Sequence, residues 1–174
     1  MAMLDEVLKS LCGRLEAALQ AAEARSEPWV ALSNLVGPDG SPAAGLDDKI
    51  VVSLLALLAD KGGSSPFTTQ PADGRPPPPP PLWLDAYVVV LANFSGAAYL
   101  SGLEMISRAI SFFQERPVFP RGEMPELPAQ VDKLFVEFVS LDLPTAAALL
   151  PEGLRTLPFA LYRLRRLPFE HRTL

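Results

Sequence analysis

Residues 82–94, LWLDAYVVVLANF, offer no polar face. Successive side chains of a strand point to opposite sides, which puts Leu84, Ala86, Val88, Val90 and Ala92 on one face and Tyr87, Val89 and Leu91 on the other. A strand that is apolar on both sides belongs in the interior of a sheet, so this segment predicts a central strand around which the rest of the chain must be layered.

The segments on either side supply the layers. Leu4, Leu8, Leu11, Leu15, Leu19 and Ala22 recur at spacings of three or four, which predicts an amphipathic helix over residues 4–25, stopped by Ser26 and Pro28. Two β-branched, apolar runs follow with Asp39 and Gly40 between them, a pair suited to positive φ, and predict a hairpin over residues 28–58. Residues 60–81 change to Gly, Ser, Thr and Pro and end in six consecutive prolines, which predicts a flexible loop insert acting as a stiff spacer. After the central strand, Ser95 is placed to cap a helix whose apolar stripe is Tyr99, Leu103, Ile106, Ile110 and Phe113. Pro117 ends it, and residues 117–130 read as a proline-punctuated connection across the surface. A half-exposed strand with Leu134, Val136 and Phe138 on one face and Lys133, Phe135 and Glu137 on the other, a short helix from Asp142 onward and a last strand around LPFALYRLRRLPF complete the order. The expected fold is α/β of the α+β kind: one domain over residues 1–174, with a mixed sheet packed against helices.

The same sequence offers little for catalysis. Histidine is the usual base for activating a serine or cysteine, and the single one, His171, lies four residues from the end, where a side chain is seldom held in place. The single Cys12 sits beside the first helix's apolar stripe and reads as a small buried hydrophobe. With one cysteine there is no internal disulfide and no zinc cluster. Asp47 and Asp48 are adjacent on a predicted strand and diverge rather than converge on an ion. Gly37, Gly40 and Gly45 fall in a turn and do not open a helix, so no phosphate loop is present. Neither catalytic, metal nor cofactor residues are expected. The longest nearly apolar stretch, residues 50–59, is half of the ~20 residues that span a bilayer as a helix, and the N-terminal segment is too acidic for a signal peptide.

Charge is unevenly distributed. Residues 155–174 carry five arginines against one glutamate, while the rest has ten basic against nineteen acidic side chains. A chain of net charge -5 repels phosphate, so nucleic acid is not the expected partner. Alternation in the last strand places Arg163 and Arg165 on one face with Phe159 and Leu161, and Arg166 on the other with Tyr162 and Leu164. An edge strand bearing Arg163, Arg165 and Arg166 would suit an acidic protein surface.

The stretches LSNLVGPDG, KIVVSLLALL, LWLDAYVVVLANF, YLSGLEMISRAISFFQERPVF, VDKLFVEFVSLDLPTAAALL and LPFALYRLRRL resemble the tail-terminator or cap proteins of extracellular contractile injection systems, which are phage-tail-like particles. The likeness runs from the first helix to about Leu167 and is most specific at ISFFQERPVF, residues 110–119. It departs where family members often carry a tryptophan and a later glycine and this chain has Leu149, Leu150 and Gly153. The resemblance implies a non-catalytic structural protein without cofactors. It further implies a homohexameric ring on the top end of the inner tube that contacts the last sheath ring and ends growth. Charge and alternation, read with that role, make Arg163, Arg165 and Arg166 the expected contacts to an acidic face of sheath or tube, or to a neighbouring copy of the chain. Assembly would be in the cytoplasm of the producing bacterium, with the particle able to be released. The alternative is a soluble α/β enzyme or small-ligand-binding protein unrelated to tails, which the shortage of convergent polar groups disfavours.

Overall fold

The structure, a computed structural model, describes residues 3–60 and 82–169; the insert at 61–81 and His171 lie outside the described residues. In chain order it contains α1 (Met3–Ala22), β1 (Val30–Leu32), β2 (Lys49–Ala59), β3 (Leu82–Asn93), α2 (Tyr99–Glu115), β4 (Val118–Pro120), β5 (Lys133–Phe138), α3 (Leu143–Leu149) and β6 (Phe159–Phe169), with single 3-10 turns at Gly96–Ala98 and Glu152–Leu154. The strands form one six-stranded mixed sheet in the order β1-β2-β3-β6-β5-β4, in which β1 and β2 run parallel and the other neighbours antiparallel.

The two-faced strand is central, as its composition requires. Ala86, Val88, Val90 and Ala92 of β3 belong to one hydrophobic cluster, while Val89 and Leu91 belong to another on the opposite face. The first cluster is the larger. Leu8, Leu11, Leu15 and Leu19 of α1 and Met105 and Phe113 of α2 close it from above, and Met124 and Leu127 seal its flank. The second is made with Leu35, Leu46, Leu150 and Leu154, which come from the β1–β2 connection and from the segment after α3. That cover reaches only part of the second face.

Several expectations are corrected. Residues 28–58 do not form a hairpin: Val30 pairs with Ile50 and Leu32 with Val52 in parallel register. The turn at Asp39 and Gly40 does exist, with Gly40 at φ 79 and Val36 bridged antiparallel to Pro42, but it closes a small loop inside the connection. Gly45 at φ 76 and Asp48 at φ 54 then redirect the chain so that β2 leaves in the same sense as β1. The buried stripe of α2 is Gly102, Met105, Ile106, Ala109 and Phe113, whereas Tyr99 and Ile110 are exposed. Gly102 explains the rotation, since a Cβ there would stand 2.6 Å from Cβ of Phe94 and only a glycine lets the helix approach so closely. Ser95 opens the 3-10 turn before α2 without a side-chain cap bond. Residues 117–130 are not a surface loop either. They include β4 and bury Phe119, Met124 and Leu127, and the Arg121 guanidinium donates to the carbonyls of Leu127, Pro128 and Val131 to hold the segment closed.

Candidate functional site

The arginines singled out by the sequence lie on β6, which is not an edge strand: it pairs with β3 along its length and with β5 from Tyr162 to Arg165. Over Tyr162–Arg165 both sides of β6 are therefore taken, and no partner strand can add to the backbone that carries Arg163 and Arg165. What remains open is the side-chain surface on the half of the second face that the connection and the α3 segment leave uncovered.

Cross-strand register assembles a ladder there. Arg163 stands opposite Tyr87 on β3 and Glu137 on β5, and Arg165 stands opposite Phe135. Both arginines converge on Glu137: Arg163 donates from Nη2 at 2.6 Å and from Nε at 3.2 Å to Oε2, and Arg165 from Nη1 at 2.6 Å to Oε1. Arg163 also lies 3.7 Å from the carboxylate of Asp85. Burial pushes the Glu137 carboxyl up, but the hydrogen bonds from Arg163 and Arg165 outweigh it and hold the group below its ordinary value. The bond to Glu137 in turn raises the Arg163 guanidinium, against desolvation and with help from Tyr87.

Asp85 is the keystone of this arrangement. It is 6% exposed, and its Oδ1 accepts the backbone N–H of Arg166 at 2.9 Å. The β3–β6 register moves from Leu84 opposite Leu167 to Ala86 opposite Leu164, so Arg165 and Arg166 together face Asp85 in a β-bulge. Arg166 adopts φ 56 to make it. The extra residue changes the alternation: Leu167, fully buried, takes the inward place that strict alternation gives to Arg166. Arg166 turns outward instead, half exposed, with its guanidinium 5.3 Å over the Trp83 ring and Nε 3.5 Å from the Asp60 carboxylate. The expected faces of Arg163 and Arg165 are kept, and that of Arg166 is corrected by the bulge.

Three arginines thus meet three carboxylates, Asp60, Asp85 and Glu137. These acids lie on or beside other strands, far from the arginines in sequence, so the charge count along the chain does not reveal them. One signal was available: Asp85 is the only charge inside the apolar run 82–94, and such a charge needs a buried partner. Arg163 and Arg165 are thus fixed side by side on Glu137, with Arg166 set apart over Trp83.

Elsewhere the chemistry is sparse. Burial pushes the Cys12 thiol up to about 12, which leaves it protonated at any ordinary pH. Asp47 and Asp48 are exposed, and among the described residues no group of three or more His, Cys, Asp or Glu side chains is placed to hold a metal ion. Nor is any helix among the described residues long and apolar enough to cross a membrane. Open grooves lie beside the ladder, one of about 240 Å³ lined by Trp83, Phe135 and Arg166, and along α1, one of about 420 Å³ lined by Lys9, Arg14 and Glu126.

Comparison with known proteins gives this geometry a context. No curated protein matches the sequence. Among solved structures, the fold is similar to the sheath/tube terminator of an extracellular contractile injection system, PVC, seen by cryo-electron microscopy in the extended state. The TM-score is 0.64 at 12% sequence identity, over 99% of this chain and 58% of that one, so the chain spans less than two thirds of the terminator's length. Residues 6–172, nearly the whole sequence, match the Pvc16 N-terminal domain family, and the chain belongs to that family.

Proposed function

We propose that this chain is a tail terminator: a non-catalytic subunit that caps the inner tube and sheath of a contractile injection system, ends their growth and stabilises the extended particle. The observation that carries the proposal is the likeness to a sheath/tube terminator over 99% of this chain, in a fold whose polar side chains are arranged as struts. A tube of stacked rings has no intrinsic end, because each exposed face recruits the next ring, and a terminator must match the tube on one face only. The subunit is proposed to act as a homohexameric ring that meets tube protein on one side and sheath protein on the other. It would assemble in the cytoplasm of the producing cell.

The exposed edges of Arg163, Arg165 and Arg166 are proposed as contacts to sheath or tube. Their charge is balanced by Asp60, Asp85 and Glu137, so they would fix register through directed hydrogen bonds more than through net attraction. The test is reconstitution. The chain is mixed with the producer's tube and sheath proteins, particle lengths are measured by negative-stain microscopy, and the mass of the free subunit is measured in solution. Capped particles of uniform length with the chain, and open or irregular ones without it, are expected. Identical particles in both cases would overturn the proposal. Arg166→Ala, which spares the Glu137 bonds, is expected to fold and to cap less efficiently.

A further inference from the structure

A cleft of about 320 Å³ opens where the C-terminal end of α2 passes the end of β5, with Phe113, Gln114, Pro117, Glu137, Phe138 and Tyr162 in its lining. Phe113 and Phe138 both lie against Tyr162, with their ring centres 4.8 and 5.6 Å from its own. Phe113 belongs to the core, whereas Phe138 is 56% exposed and forms an outer wall.

Tyr162 is the anomaly in this cleft. The residue is 3% exposed, yet its hydroxyl has no hydrogen-bond partner among the described residues, and burial alone pushes the phenol up to about 12. The oxygen is not sealed in either: among the described residues, the enclosed side-chain atoms without partners are Nε of Arg108 and Nε of Arg165. It opens instead into the cleft that its ring lines. A buried O–H left unpaired costs free energy until something brings it an acceptor. The Gln114 amide, exposed on the rim, is likewise without a partner among the described residues. Glu137 supplies no charge here, since Arg163 and Arg165 hold its carboxylate on the opposite face.

The cleft thus offers aromatic rings and hydrogen-bond donors, and it suits a guest with acceptors and no donors of its own. An ordinary extended strand fails that demand, because its N–H groups would be desolvated against the rings. A run of prolines meets it: each residue brings a carbonyl, none brings an N–H, and the pyrrolidine rings pack on aromatic walls. This chain contains such a run, Pro76 to Pro81, outside the described residues.

We infer that the cleft of Phe113, Tyr162 and Phe138 receives the proline run 76–81 of a second copy of this chain. The chain's own run is tied too short. Pro81 precedes Leu82, the first residue of β3. Tyr162 is paired with Val88, six residues further along β3, and so lies about 20 Å from that end. Phe138, on β5, is one strand beyond. Six polyproline steps from Leu82 back to Pro76 cover about 19 Å, so the middle of the run would stop about 9 Å short of the rings. A neighbouring copy has no such tether and can lay the whole run across them. The inference concerns a contact between copies and does not rest on the terminator proposal.

The test uses the full chain, labelled for NMR, and as probe a blocked peptide of residues 74–82, GRPPPPPPL. Saturable shifts are expected at the amides of Gln114 and Phe138, and none with a peptide in which serines replace the prolines. Tyr162→Phe removes an oxygen that no protein group holds, and is expected to weaken binding about five- to tenfold. Phe138→Ala, at an exposed position, is expected to abolish it and decides alone if Tyr162→Phe fails to fold. In the chain without peptide, the same shifts should grow with protein concentration, as should its mass in sedimentation. Both should vanish when serines replace Pro76 to Pro81. No shifts at the cleft, equal shifts from the serine peptide, or unchanged binding in either variant would overturn the inference. So would cleft shifts in the natural chain that persist at every dilution, since the guest would then be its own run. Peptide binding without any self-association would also overturn it, because the guest would then belong to another protein.

Discussion

Replacing Asp85 by alanine should destabilise the subunit by about 2–3 kcal/mol, and the terms can be separated. The larger one is the hydrogen bond from the Arg166 amide, 2.9 Å long and accepted by a carboxylate that is 6% exposed. Bonds of this charged type contribute about 1.5–3 kcal/mol, and the change also leaves the amide without its partner. The smaller one is the pair with Arg163, 3.7 Å long with an arginine side chain that is 32% exposed. Solvent screening and the competing bond to Glu137 reduce it to roughly 0.5 kcal/mol or less. For a domain of this size each kcal/mol moves Tm by about 2–4 °C, so a fall of about 4–12 °C is expected in a thermal melt. Asp85→Asn keeps an acceptor and loses the charge, and should cost about half as much. Raising the salt concentration should leave the Asp85→Ala deficit in place, because a buried amide–carboxylate bond is poorly screened. A deficit below about 0.5 kcal/mol, or one that vanishes in high salt, would show that strand pairing alone holds the bulge and that Asp85 is a bystander.

Two other perturbations test separate parts of the fold. Gly102→Ala gains helix propensity worth about 1 kcal/mol, yet it should destabilise by about 1–3 kcal/mol in urea unfolding. The added carbon would stand 2.6 Å from Cβ of Phe94, whose ring is stacked on Trp29 and has nowhere to go; a stabilised variant would refute the close approach of α2. Glu137 is held below its ordinary value of 4.5, so its contribution is fully present above that value and is lost as pH falls through the lower, folded value. The stability difference between the natural chain and Glu137→Gln should therefore be flat above about pH 5 and shrink below 4.5, and a difference that grows on acidification would contradict the ladder.

How far the sequence leads depends on the range over which each interaction acts. The central strand was legible because both its faces are written in large apolar residues, and α1 because Leu8, Leu11, Leu15 and Leu19 are all buried where the period puts them. For α2 the period was right and the face was displaced. Large residues alone do not mark this core face, because Gly102 and Ala109 lie against the sheet by virtue of being small. At residues 28–58 the turn chemistry of Asp39 and Gly40 was real but local, and nothing local says whether the flanking strands pair across that turn. The bulge was invisible for a related reason: Arg165 and Arg166 carry no mark that one of them is extra, and only the register against β3 reveals it.

The charge pattern shows the same limit with a functional consequence. Counted along the chain, the C-terminal segment is strongly basic and invites an acidic partner. Counted in space, the three arginines of β6 meet Asp60 from the end of β2, Asp85 from β3 and Glu137 from β5, and the patch is neutral. Reversing all three arginines would set new carboxylates against three existing ones and destabilise the sheet itself, so a loss of docking in that variant would not isolate a contact. A neutral ladder also changes what the face can do. It offers little long-range steering, which needs net charge, but its guanidinium edges are held at defined positions by short bonds to Glu137. Such a surface suits a partner that is already positioned, where directed hydrogen bonds fix orientation. A subunit seated on the end of a preformed tube would meet its neighbours in that way, and would dock with weak dependence on salt. Strong loss of docking in moderate salt would mean that a different, charged surface makes the contact.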